Sequence, residues 1–153
     1  MSTPPIRTFK DLLVWQKALR LAVDLHRLTG SFPPEERYGL SAELRKTARS
    51  VAYNIAEGHK RGSTTEYLRF LGIAAGSAAE LETQLLLARE LGYLPDEKAK
   101  SLLALHAEIE RMLDALARKL RSKIPSAPEV SERSELSSLY LESTGTFEET
   151  RFG

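Results

Sequence analysis

Apolar positions in the first 123 residues recur every third or fourth residue, and no stretch alternates with period two. That spacing predicts helices. The first is expected to begin near Phe9 or Lys10 with Thr8 as its cap. Its stripe is Leu12, Trp15, Leu19, Ala22 and His26, and Gly30 is its end. After the rigid Ser31-Phe-Pro-Pro34 link, a second helix is expected with Glu35 and Glu36 at its positive end. It carries Leu40, Leu44, Thr47/Ala48, Val51 and Ile55, with Gly58, reinforced by Gly62, as the stop. The third opens on Ser63-Thr-Thr-Glu66, the spelling of a capping box in which Ser63 and Glu66 satisfy each other's amides. It runs through Tyr67, Phe70/Leu71, Ala74, Ala78, Leu81, Leu85 and Ala88 to Gly92. The fourth follows Pro95-Asp96 and shows Leu102, Leu105, Ile109, Met112/Leu113, Leu116 and Leu120.

Helices this long joined by short loops must lie antiparallel to their neighbours, because a short loop cannot carry the chain back to the other end. The expected fold class is all-α: an up-down-up-down antiparallel four-helix bundle over residues 9–123. An N-terminal arm (1–8) precedes it and an acidic, flexible tail (124–153) follows, broken off by the prolines of Ile124-Pro-Ser-Ala-Pro128. Gly72, Ala75, Gly76 and Ala79 put small residues on one side of the third helix. Glycine inside a helix costs roughly 1 kcal/mol relative to alanine, so another backbone is expected to come close there. Tight packing within the bundle is preferred over a neighbouring subunit.

Composition changes the picture in two places. The 153 residues hold 22 Lys+Arg and 21 Asp+Glu, yet 20 of the bases and only 15 of the acids precede residue 124. The domain is therefore basic and the tail acidic. The absence of cysteine excludes disulfides, thiolate metal sites and a cysteine nucleophile. No apolar run approaches the roughly 20 residues of a membrane span, and the opening Met-Ser-Thr-Pro-Pro lacks the layout of a signal peptide. A cytoplasmic location is expected.

The chemistry-bearing residues are few. His26, His59 and His106 are scattered, with no His-x-x-x-His or Glu-x-x-His pair, and no carboxylate lies on a core stripe. His26 and His106 read as half-buried structural residues. There is no Gly-x-Ser-x-Gly, Ser-x-x-Lys or phosphate-binding Gly-rich loop. No enzyme, metal or cofactor site is expected. The basic residues Arg45, Lys46, Arg49, Lys60 and Arg61, interspersed with Tyr38, Tyr53 and Tyr67, read either as solvated helix faces or as a nucleic-acid-binding surface. In the second case the bases neutralise phosphates and the tyrosines stack exposed nucleobases. In Asn54-Ile-Ala-Glu57-Gly58, Asn54 is expected to satisfy a neighbouring backbone. Glu57 is expected to pair with Arg61 or with another subunit; plain helix termination is the simpler alternative.

A set of motifs in order carries a resemblance. They are Phe9-Lys-Asp-Leu12, Val14-Trp-Gln-Lys-Ala18, Leu28-Thr, Phe32-Pro, Glu36-Arg-Tyr-Gly-Leu40, Glu43-Leu-Arg45, Ala48-Arg-Ser-Val51, Asn54-Ile-Ala-Glu-Gly58, Glu66-Tyr-Leu-Arg-Phe-Leu71, Gly76-Ser77, Glu80-Leu81 and Gly92-Tyr-Leu94. Together, over about residues 7–121, they resemble the four-helix proteins encoded in intervening sequences of bacterial 23S rRNA genes, also labelled S23-type ribosomal proteins. The resemblance implies a homopentamer. It also implies kinship with the accessory variability protein of diversity-generating retroelements, whose partners are nucleic acid and a reverse transcriptase. The expected function is a non-enzymatic accessory or scaffold protein that binds structured RNA or RNA–DNA through backbone contacts at Arg45, Lys46, Arg49, Lys60 and Arg61. The alternative is a protein–protein module. For the tail, disorder, docking of Leu136, Leu139, Tyr140, Leu141, Phe147 and Phe152, and masking of the basic surface all stand open.

Overall fold

A computed structural model describes residues 2–126. The expectations for residues 127–153 lie outside the described residues. Four α-helices account for most of the described chain: α1 (Leu13–Leu28), α2 (Leu40–Lys60), α3 (Thr64–Glu90) and α4 (Asp96–Arg121). Each packs against the next and α1 closes the ring against α4, while the diagonal pairs do not meet. This is the expected up-down-up-down arrangement. No helix among the described residues is long and apolar enough to cross a membrane.

The start of the chain differs from expectation. Phe9–Asp11 is a 3-10 turn, Leu12 is extended, and α1 begins only at Leu13. The capping box forms here. Thr8 Oγ1 accepts from the Lys10 amide at 3.2 Å, and Asp11 accepts from the amides of Arg7 and Thr8 at 2.9 Å each. Those amide donors, Thr8 first and Arg7 second, hold the Asp11 carboxyl below the usual carboxylate range. At α3 the box is half formed: Ser63 Oγ accepts from the Glu66 amide, but the Glu66 carboxylate turns to Arg69 instead.

The buried stripe of α1 is also rotated from the expected one. Val14, Ala18, Leu21, Ala22 and Leu25 face the core, whereas Leu19, Val23 and His26 are exposed. Glu35 and Glu36, expected at the start of the second helix, form with Pro34 a separate 3-10 turn. From it the Glu36 carboxylate accepts the Leu40 amide at 2.8 Å, satisfying a free donor of α2, and the Tyr93 hydroxyl at 3.2 Å. One side chain thus ties the start of α2 to the α3–α4 loop.

Gly58 is not a stop. It is buried inside α2, and a Cβ there would meet Phe70 Cβ at 2.8 Å and Tyr67 Cδ1 at 3.2 Å. The stop is Gly62 (φ +76°), a left-handed position that glycine adopts without strain. Gly72 and Gly76 do the opposite of what was expected. A Cβ at either meets nothing within 4 Å, so the small-residue face of α3 looks outward rather than into the bundle.

The α2 outward face as a candidate nucleic-acid interface

Lys46, Arg49, Tyr53, Ala56 and Lys60 follow one another at steps of 3, 4, 3 and 4, which places them on one face of α2. From Lys46 to Lys60 the row is about 21 Å long at 1.5 Å per residue. Lys46, Arg49, Tyr53 and Lys60 are exposed, with Tyr53 at 64%. No ion pair engages the three cations among the described residues. The buried side of the same helix carries Leu44, Ala48, Val51 and Ile55, so core packing fixes the direction in which the row points.

The other two basic residues singled out from the sequence stand differently. Arg45 is partly buried; its Nε donates to Thr29 Oγ1 at 2.7 Å and its Nη2 to the His26 carbonyl at 3.1 Å. Thr29 Oγ1 in turn donates to the Leu25 carbonyl at 2.8 Å. Arg45 is therefore a clasp on the carbonyl end of α1, where a cation also complements the helix dipole. Arg61 pairs with Glu57 at 2.8 Å and lies 4.9 Å over the Phe70 ring. That is the first of the two pairings expected for Glu57. Asn54 bonds its own helix, donating to the Ser50 carbonyl at 2.8 Å and to Ser50 Oγ at 3.1 Å; Ser50 continues the chain to Ser77 on α3 at 2.8 Å.

At the C-terminal end of the row an open recess of about 470 Å³ is lined by Phe9, Tyr53, Ala56, Glu57, Lys60 and Arg61. Its floor is aromatic and aliphatic and its rim is charged. The Asp11-braced turn holds Phe9 in place, and Phe9 meets Trp15 edge to face at 5.1 Å. The lining thus combines two aromatic rings with the Arg61–Glu57 pair and with Lys60, which pairs with no acid among the described residues. Between the end of α2 and the start of α3, Tyr67 meets His59 edge to face at 5.8 Å. The Tyr67 hydroxyl is buried with no partner among the described residues, and burial pushes its pKa up to about 12.

A second recess, of about 240 Å³, lies beside the row where α1 meets α2. It is lined by Leu19, Ala22, Val23, His26, Arg49, Ala52 and Tyr53. The sequence reading assigned Leu19 and His26 to the core stripe and so missed this wall. It also missed the 3-4-3-4 order of Lys46, Arg49, Tyr53, Ala56 and Lys60, a signal present in the spacing alone. Away from both recesses, Glu82 of α3 and His106 and Glu110 of α4 converge, a grouping that no single-helix spacing reveals.

The comparisons with known proteins agree with this architecture. A family model described as 23S rRNA-intervening sequence protein matches residues 10–115. A crystal structure from Bacteroides thetaiotaomicron VPI-5482, of a protein with unknown function from the S23 ribosomal protein family, is similar at a TM-score of 0.65 and 25% identity. The match covers 69% of this chain and 96% of that one. No curated protein matches at a significant level.

Proposed function

Because the chain belongs to the 23S rRNA-intervening sequence protein family, we propose that it is a non-enzymatic accessory or scaffold protein of the cytoplasm. It works as a homo-oligomer and binds structured RNA or RNA–DNA through the outward face of α2. The observation that carries this reading is the row Lys46, Arg49, Tyr53, Lys60: three exposed cations without ion-pair partners among the described residues, and an exposed aromatic ring between them. Its length spans several phosphates of a nucleic-acid strand. Lys46 and Arg49 supply charge at one end and Lys60 at the other, while Tyr53 offers a face on which a base can stack. Contacts of this kind give affinity without reading sequence.

The test separates free cations from committed ones. With a structured RNA and a salt series, Lys46→Gln, Arg49→Gln and Lys60→Gln are each expected to reduce the slope of log affinity against log salt by about 0.7–0.9. Arg61→Gln, whose guanidinium already pairs with Glu57, is expected to leave that slope nearly unchanged. Arg45→Gln is expected to lower stability by about 1–2 kcal/mol through loss of the α1 clasp, with little effect on the slope. Equal effects at all five positions would overturn the assignment.

One observation favours a second reading, a protein–protein module. Leu19 (43% exposed) and Val23 (40%) form an apolar wall beside Tyr53, and the Gly72–Gly76 face of α3 is open enough for another backbone to approach. These surfaces suit self-association or a protein client, a reverse transcriptase being the client the family resemblance implies.

A further inference from the structure

His106 is 2% exposed and sits between α3 and α4. Its Nε2 lies 2.6 Å from the Ala78 carbonyl oxygen. A carbonyl only accepts, so Nε2 carries the proton, and in the neutral ring the lone pair is on Nδ1. Nδ1 lies 3.8 Å from Glu110 Oε2, and a ring nitrogen of His106, a carboxylate oxygen of Glu110 and one of Glu82 lie within 4.8 Å of one another. The Nδ1–Glu110 distance exceeds the 2.7–3.2 Å of an N–H···O hydrogen bond. Neither Glu82 nor Glu110 pairs with a Lys or Arg among the described residues. Three candidate ligand atoms, one of them on a buried ring, thus lie close together, with no Lys or Arg among the described residues paired to the two carboxylates.

We propose that Glu82, His106 and Glu110 bind one divalent transition-metal cation of the zinc class. Two ligands at the usual 2.0–2.2 Å from tetrahedral zinc stand about 3.4 Å apart. The observed 3.8 Å closes to that value by a small rotation of the half-exposed Glu110 side chain. The Ala78 carbonyl acts as the outer partner that fixes the ring and its tautomer, as backbone carbonyls do behind zinc-bound histidines. One imidazole and two carboxylates leave a fourth position for water. The ion would clamp α3 to α4 beside the core to which Ala78 and Ile109 both belong.

The experiment uses the full-length, tag-free chain freed of metal by chelator. Zn2+ titrated by calorimetry is expected to bind at one ion per chain and to raise the thermal midpoint, and Co2+ to give the visible absorption of a four-coordinate ion. Glu82→Gln and Glu110→Gln, both at solvent-reaching positions, are each expected to weaken binding at least about tenfold. Glu90→Gln, further along α3, is expected to leave it unchanged. No uptake at a hundredfold excess of Zn2+ would overturn the proposal. So would uptake unaffected by the Glu82 and Glu110 variants, which would put the ion elsewhere. A midpoint lowered by Glu110→Gln in a protein that takes up no metal would reduce the cluster to a His106–Glu110 ion pair and overturn it as well.

Discussion

The triple variant Lys46→Glu/Arg49→Glu/Lys60→Glu is expected to bind structured RNA at least about a hundredfold more weakly than the parent at moderate salt, with its helix content and thermal midpoint nearly unchanged. All three side chains stand outside the core without ion-pair partners among the described residues, so replacing them removes few folded-state contacts; surface changes of this kind usually move stability by no more than about 0.5 kcal/mol. Their effect on a polyanion is large because each reversal removes an attraction and adds a repulsion along one row of about 21 Å. Parallel measurement of RNA affinity and of thermal unfolding by circular dichroism separates a lost surface from a lost fold.

Gly58→Val is expected to act in the opposite way, lowering stability by about 2–3 kcal/mol or more. The first added carbon would already stand 2.8 Å from Phe70 Cβ and 3.3 Å from the Tyr67 carbonyl oxygen, atoms on the first turns of α3 that cannot swing aside. Two further methyl groups enlarge the overlap, and overpacking a filled site typically costs about 1–3 kcal/mol before backbone shifts are added. Gly72→Ala and Gly76→Ala provide the contrast. Both sites are helical and open, so each change should stabilise an isolated bundle by roughly 0.5–1 kcal/mol. If the α3 face packs against a second copy, the same changes weaken association. Urea unfolding at fixed protein concentration reads the first effect, and its dependence on concentration reads the second.

The helices and their order were legible in the sequence because long 3-4 spacing has no competing interpretation once strands are excluded. Ser63 at the start of α3, Gly92 at its end and the Pro95-Asp96 opening of α4 were legible for the same reason: capping is local chemistry. What failed depended on other helices. In α1 apolar residues lie on two faces, and the expected stripe through Trp15, Leu19 and His26 passed beside Val14, Ala18, Leu21 and Leu25, which the neighbouring helices cover. Gly58 and Gly72 are the same residue type inside helices, yet one faces Phe70 and the other open space, a difference set by the partner helix alone.

The candidate site divides in the same way. Charge was readable and commitment was not. Arg45 and Lys46 are adjacent in sequence, but only the first reaches Thr29 and the carbonyl end of α1. The Glu57–Arg61 pairing was one of two open from the four-residue spacing, whereas the stacking of Arg61 over Phe70 needed α3 in place. Glu82 and His106 come from different helices, so no local motif joins them, and only the packing of α3 on α4 does.

The most direct test of the central claim is the binding of the full-length protein to a structured RNA across a salt series. Three cations per protomer that pair with no acid among the described residues predict that log affinity falls against log salt with a slope of about −2 to −3 for each protomer engaged. Absence of binding at low salt, or a slope near zero, would contradict the account and leave the α2 row as a solvated helix face.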